Sequence, residues 1–244
     1  MSSSTSDNSK YVNALDRASG TGFGNFKQDR DYQQILEHIS SKLGQAYLDH
    51  ILEIAPALMN NAAKYKTNDT IGNPSTYTYG KYGTWSPTTL RYIDMVAQLS
   101  NLFGDLSQFN IVEVGAGYGG QAKIIQDTFN VSHYTTYDLS GAVKLQKRYS
   151  EELGFVLDPR PYTSCVQETF DLFISNYSFS ECTREIQDMY IDRLIRHSTR
   201  GFIMWNETRR SYKLEELLTR LPFIEVLEEF PNSCESNKLL IWGR

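Results

Sequence analysis

The residues best equipped for chemistry lie in Ile111-Val-Glu-Val-Gly-Ala-Gly-Tyr-Gly-Gly120. Ile111 and Val112 are β-branched and read as part of a short buried strand. Gly115, Gly117, Gly119 and Gly120 follow, and Gln121 to Phe129 then places apolar residues at helical spacing. Strand, glycine turn and helix together aim backbone N–H groups and a helix N-terminus at a ligand. Gly115, Gly117 and Gly120 satisfy G-x-G-x-x-G, the pattern that cradles a dinucleotide pyrophosphate. Glu113, Gly115, Gly117 and Gly119 equally satisfy E-x-G-x-G-x-G. The carboxylate of Glu113 separates the two readings: it repels a pyrophosphate and offsets a ligand that carries positive charge, directly or through water and backbone N–H groups. A glycine turn with no ligand is the plain alternative.

Beyond that turn the chain alternates strand and helix. Strands are predicted at 110–114, at His133 to Tyr137 ending on Asp138, within Phe155 to Tyr162, at Phe170 to Ser175 and at Gly201 to Trp205, with a closing pair at Phe223 to Leu227 and Leu239 to Trp242. Helices are predicted up to about Phe129, over Ser140 to about Leu153, Thr183 to about His197 and Lys213 to Leu221. Pro159 and Pro161 blur the limits of the third strand. The E-x-G-x-G-x-G turn resembles the first motif of the class I S-adenosylmethionine-dependent methyltransferases. Seven strands closing in a hairpin match that fold rather than the six-strand dinucleotide fold. The expected class is α/β, a Rossmann-like seven-stranded sheet with helices on both faces and an N-terminal helical extension. The resemblance implies S-adenosylmethionine as cofactor, held by Glu113, Gly115, Gly117 and Gly119. Ligands of such sheets sit beyond the carboxyl ends of the strands. Asp138 is there, placed to accept from both ribose hydroxyls, and capping of the next helix is compatible with that role. Tyr118 and Gln121, inside and just after the turn, are candidates to face either cofactor or acceptor.

Three stretches precede or make up this plan. Residues 1 to about 27, rich in Ser, Asn, Gly and Thr, read as a loose N-terminal arm. Residues 28–106 read as a helical prefix, and residues 107–244 as the core. In the prefix, Tyr32, Ile35, Leu36 and Ile39 recur at helical spacing, and Leu43, Tyr47, His50, Ile51 and Ile54 continue one face. Pro56 opens a new helix, and Ala57 to Tyr65 forms a short third one. Thr67 to Ser86 is broken by Gly72, Pro74, Gly80 and Gly83 and crowded with Tyr77, Tyr79, Tyr82 and Trp85. Two roles fit it: a lid whose rings face an acceptor, or a staple between prefix and core. In the first role Tyr79, Tyr82 and Trp85 are candidate acceptor contacts. Ser86 then caps a helix that Pro87 opens. Arg91, at its start, is either an exposed arginine or a clamp on a carboxylate of cofactor or substrate.

The segment Ser175-Asn-Tyr-Ser-Phe-Ser-Glu181 follows the central strand and faces the same crevice. NDTIGNP, SPTTLRY, IVEVGAGYGGQ and DLFISNYSFSE, in that order, resemble the sugar O-methyltransferase family over about residues 30 to 210. The resemblance implies a sugar hydroxyl as acceptor, on a nucleotide sugar or a glycan. In-line methyl transfer asks for positioning and for a base near that hydroxyl. Glu181 is the candidate base, although a carboxylate beside a helix start also has a plain dipole role. Asn176 is a candidate for the cofactor's amino-acid end or the acceptor hydroxyl, and Tyr177 for the acceptor. Asn206 and Glu207, at the end of the fifth strand, rank behind them. His133 and His197 fall on the wrong edge of the sheet; His38 and His50 reach the site only if the prefix folds over it.

Composition narrows the classes. The 244 residues carry a net charge of −5 and no long basic run, which disfavours a nucleic-acid surface. Cys165, Cys182 and Cys234 show neither a disulfide framework nor zinc spacing, so a cytoplasmic setting is expected. No signal-peptide core or membrane span is read, and no carboxylate cluster has metal-ligand spacing. Two rivals remain: an NAD-dependent sugar oxidoreductase on the same glycine turn, and a non-catalytic nucleotide-binding module.

Overall fold

A computed structural model describes residues 9–244. Helix α1 (Ser9–Ser19) is followed by a 3-10 turn at Phe23–Gln28, the one-turn α2 (Arg30–Gln33) and α3 (Ser41–Ile54). A 3-10 stretch at Pro56–Asn61 leads into the one-turn α4 (Ala62–Tyr65). Strands β1 (Tyr77–Thr78) and β2 (Thr84–Trp85) pair as a small antiparallel ladder ahead of α5 (Pro87–Phe103). The core runs β3 (Asn110–Val114), α6 (Gly120–Thr128), β4 (His133–Asp138), α7 (Ser140–Leu153), β5 (Asp158–Pro161) and β6 (Phe170–Asn176). It continues with the one-turn α8 (Ser178–Glu181), α9 (Arg184–Arg193), β7 (Ser198–Trp205), α10 (Leu214–Arg220), β8 (Glu225–Glu228) and β9 (Lys238–Trp242).

The seven core strands lie in the order β5-β4-β3-β6-β7-β9-β8, with β9 antiparallel to both neighbours and the remaining pairs from β5 to β7 parallel. This is the seven-stranded α/β sheet, helices on both faces and an antiparallel hairpin at one edge, that the strand count leads one to expect. Side chains alternate across it. Ile111, Leu172, Ile174 and Phe202 face α5, α6 and α7, whereas Val112, Val114, Phe173 and Ile203 face α9 and α10. β5 keeps its two prolines because it is an edge strand, where a missing N–H need not cost a ladder bond. The chain crosses from β5 to β6 on the other side of β3, so a crevice opens between the carboxyl ends of β3 and β6.

Two expectations for the N-terminal part need correction. The described part of the arm is not loose: α1 packs on α7 and buries Tyr11, Ala14, Leu15 and Ala18, a helical i, i+3, i+4, i+7 stripe that its polar composition masks. Residues 1–8 of that arm lie outside the described residues. The helical spacing of Tyr32, Ile35, Leu36 and Ile39 also does not give one continuous helix. α2 ends after a single turn, and residues 34–40 run irregularly until the Ser40 hydroxyl caps α3 through the Leu43 N–H at 3.2 Å. That interruption frees Ile35, Leu36, His38 and Ile39 to reach the crevice.

Candidate active site

The cleft encloses about 620 Å³ and lies at the switch point of the sheet. Its floor comes from the ends of four neighbouring strands. Gly115 and Gly117 follow β3, Asp138 ends β4, Asn176 ends β6, and Asn206 and Glu207 follow β7. Gly115 and Gly117 hold φ of +77° and +59°. A Cβ on Gly115 would lie 2.0 Å from Ser178 Oγ, and one on Gly117 would lie 2.8 Å from Leu36 Cδ1. Bare backbone at Gly115 is therefore a requirement of the packing as well as of the turn, whereas at Gly117 a side chain would press on the movable end of Leu36.

Asp138 organises the turn. Its Oδ2 accepts from the Gly117 N–H at 3.1 Å and from Gln146 Nε2 at 3.0 Å, and its Oδ1 accepts from the Leu139 N–H at 2.7 Å. Gln146 Nε2 also donates to the Gly117 carbonyl at 3.0 Å. Burial pushes the Asp138 carboxyl up to about 7, against the pull of these donors. On the other side of β3, Asn176 Nδ2 donates to Gln121 Oε1 at 2.6 Å, while the buried Asn176 Oδ1 has no partner. An orphaned acceptor on a cleft wall is a place for a ligand's donor. Glu181 also lines the cleft; Asn206 Nδ2 donates to its Oε1 at 3.0 Å. Tyr177 precedes it in a left-handed conformation, φ +66°, costly for an aromatic residue. Its hydroxyl donates to Glu229, which also accepts from the Ser233 N–H at 3.0 Å.

The structure does not bring all the expected residues to the cleft. Glu113 shares the Ile111 face of β3, is 1 % exposed, and accepts from the Tyr134 hydroxyl at 2.8 Å. It lies beneath the turn rather than at the cleft wall, because strand alternation sends residue 113 to the α5–α7 side. Burial first, then the Asp138 charge, raise its carboxyl to about 7, while the Tyr134 bond opposes them. Tyr118 is fully buried among Phe26, Tyr92 and Tyr149, with the Lys27 ammonium 4.4 Å from its ring centre. Gln121 is buried and holds Asn176 in place. Gly119 sits behind the turn against Leu157.

The aromatic loop acts as the staple. Trp85 is fully buried and donates to the Tyr82 carbonyl at 2.9 Å, and Tyr79 is buried with its hydroxyl against Gly44 of α3. None of Tyr79, Tyr82 and Trp85 lines the cleft. Arg91 and Tyr177 do.

The roof was the part hidden from the sequence. Tyr11 of α1, Leu36, His38 and Ile39 of the irregular segment, and Leu43 and Tyr47 of α3 close the cleft from above. Ser233, Cys234, Ser236 and Asn237 close its far side from the β8–β9 loop. Burial, helped by the nearby Arg91, holds the His38 imidazole below its ordinary value. His50 instead pairs with Asp94 at 2.6 Å outside the cleft lining. Helical spacing at Tyr47 was legible in the sequence, whereas the loose-arm reading missed the stripe through Tyr11, and the direction in which either face folds was not legible.

No family model matches the chain, and no curated protein matches it. Among solved structures it is similar to protein 1320 of Thermoplasma acidophilum, at 14% identity over 77% of this chain and 95% of that one, TM-score 0.48. It is similar to a methyltransferase from Pyrococcus furiosus, at 15% identity over 75% of this chain and 95% of that one, TM-score 0.46. It is also similar to TehB from Haemophilus influenzae, at 13% identity over 60% of each chain, TM-score 0.46.

Proposed function

We propose that the chain is an S-adenosylmethionine-dependent O-methyltransferase that methylates a sugar hydroxyl. The observation that carries this reading is the pairing, at the switch point, of a glycine turn bonded to Asp138 with the orphaned Oδ1 of Asn176. Asp138 fits ribose hydroxyls, the bare Gly115–Gly117 backbone fits close approach, and Asn176 Oδ1 fits an ammonium donor. S-adenosylmethionine, when bound, supplies a methyl group on a sulfonium, an electrophile that needs no further activation.

The chain's own residues then have three tasks. Gly115, Gly117, Asp138 and Asn176 hold and orient the donor. Asn206, Glu207, Ser233, Ser236 and Asn237 offer a hydroxyl-rich acceptor a set of amide, carboxylate and hydroxyl partners. Glu181 takes the proton that the acceptor hydroxyl loses as it gains the methyl, and Asn206 steadies the carboxylate for that transfer. The roof of residues 35–47 excludes water from the transfer.

The NAD-dependent alternative has the same glycine turn in its favour, and the antiparallel β9 and closing β8–β9 hairpin against it. Thermal melting and calorimetry with S-adenosylhomocysteine and with NAD separate the two. Stabilisation by the first alone is expected; stabilisation by NAD alone overturns the reading. Mass spectrometry of glycans from cells with and without the gene then tests the acceptor, which is expected to lose a methyl increment.

A further inference from the structure

Arg91 presents a buried cation without an anion. It is 7 % exposed, lines the cleft, and its Nε has no hydrogen-bond partner. Among the described residues it forms no ion pair within 4.0 Å; its packing partner is the neighbouring Tyr92 ring, 5.5 Å from the guanidinium carbon. The roof acid that feels its charge, Glu37, spends one carboxylate oxygen on the Thr88 hydroxyl at 2.9 Å. His38, Tyr47 and Tyr177 also feel its charge, and all three line the cleft with it. A guanidinium taken out of water and left unpaired is expensive, and a planar fork is suited to a carboxylate. Such a cost is commonly found where a ligand offsets it.

We infer that Arg91 is the anchor of a carboxylate-binding subsite within the cleft. Two ligands share that chemistry: an acidic sugar as acceptor, and the amino-acid carboxylate of the methyl donor. The inference rests on the proposed methyl-donor reading for the second source and stands without it for the first. It predicts that the Arg91 cation costs the free protein stability and is retained for binding.

The test has two arms, run on wild type, Arg91→Lys and Arg91→Gln, with thermal melting to verify folding. The first arm compares calorimetric affinity for S-adenosylhomocysteine and for its decarboxylated analogue. The second compares glucuronate with glucose by ligand-observed NMR, with and without S-adenosylhomocysteine. In at least one arm wild type is expected to prefer the carboxylate by about tenfold or more. Arg91→Gln should bring that preference to within about twofold, and Arg91→Lys should restore part of it. The arm that responds identifies the source. The inference is overturned if neither arm shows a preference in wild type, or if the preference survives in folded Arg91→Gln. Failure of wild type to bind S-adenosylhomocysteine at all sinks the methyl-donor reading instead, and the glucuronate arm still decides for Arg91.

Discussion

The floor and the roof of the cleft are built on different principles. The floor is made at strand ends by short-range bonds: Gly117 to Asp138 at 3.1 Å, Gly115 to the Tyr137 carbonyl at 2.9 Å, Asn176 to Gln121 at 2.6 Å. Each contributor is fixed by sheet register, and parallel pairing sets β3 against both β4 and β6. The roof comes from segments far away in sequence that merely pack there, Tyr11 to Tyr47 from one end of the chain and Ser233 to Asn237 from the other. A floor held by register tolerates little change; a roof held by packing can be altered by degrees.

The largest expected effect is on the floor. Gly117→Val adds a branched side chain at a positive φ and against Leu36, and should abolish detectable S-adenosylhomocysteine binding by calorimetry while circular dichroism stays native. Retained affinity would remove the turn from the donor site. Glu181→Gln comes next. Turnover on the true acceptor should fall about 10²–10⁴-fold with donor affinity nearly unchanged. Undiminished turnover would assign the proton to another group.

The aromatic loop sharpens the contrast between roof and staple. Trp85→Ala should cost about 3–5 kcal/mol in denaturant unfolding, as expected for a fully buried indole, without raising the acceptor KM of the molecules that remain folded. A selective rise in KM would return the loop to the acceptor wall. Asp138→Ala should weaken donor binding by about 1–3 kcal/mol. An unchanged dissociation constant would take the ribose away from Asp138.

The smallest effect is a pH dependence. Asp138 and Glu113 are raised from 3.8 and 4.5 to about 7 in the folded chain. A raised carboxyl contributes stability that is complete below its unfolded value and is lost as pH climbs through its folded one. The melting temperature of the ligand-free protein should therefore carry a component that declines between about pH 4 and pH 7. Asp138→Asn should flatten that slope and lower donor affinity together. A slope of the opposite sign across this window, or one untouched by Asp138→Asn, would contradict the burial assigned to the pair.

Much of the core was legible because its signals are local. Glycines at a strand end, a carboxylate at the next strand end and alternating strand and helix all act within a few residues of themselves. β5 shows the same logic at its limit: two prolines made its extent ambiguous, and only its place at the sheet edge explains why it is a strand. Glu113 shows what a motif leaves open. Its spacing matched, yet the period-two alternation of β3 turned its carboxylate toward Tyr134 and away from the cleft wall. The crowding of Tyr79, Tyr82 and Trp85 fitted an acceptor wall and a staple equally, and the rings serve as core once α3 lies across them.

By itself the sequence determined the sheet, its closing hairpin and the polar strand ends, because periodicity and turn chemistry are properties of neighbouring residues. Only the tertiary structure decided what covers those strand ends. A helical stripe such as that of Tyr47 and Ile51 records that a face will be buried, and holds no record of which surface buries it. That choice belongs to long-range packing, and it is what set Leu36 over Gly117 and left Arg91, in the cleft, with an Nε that has no hydrogen-bond partner.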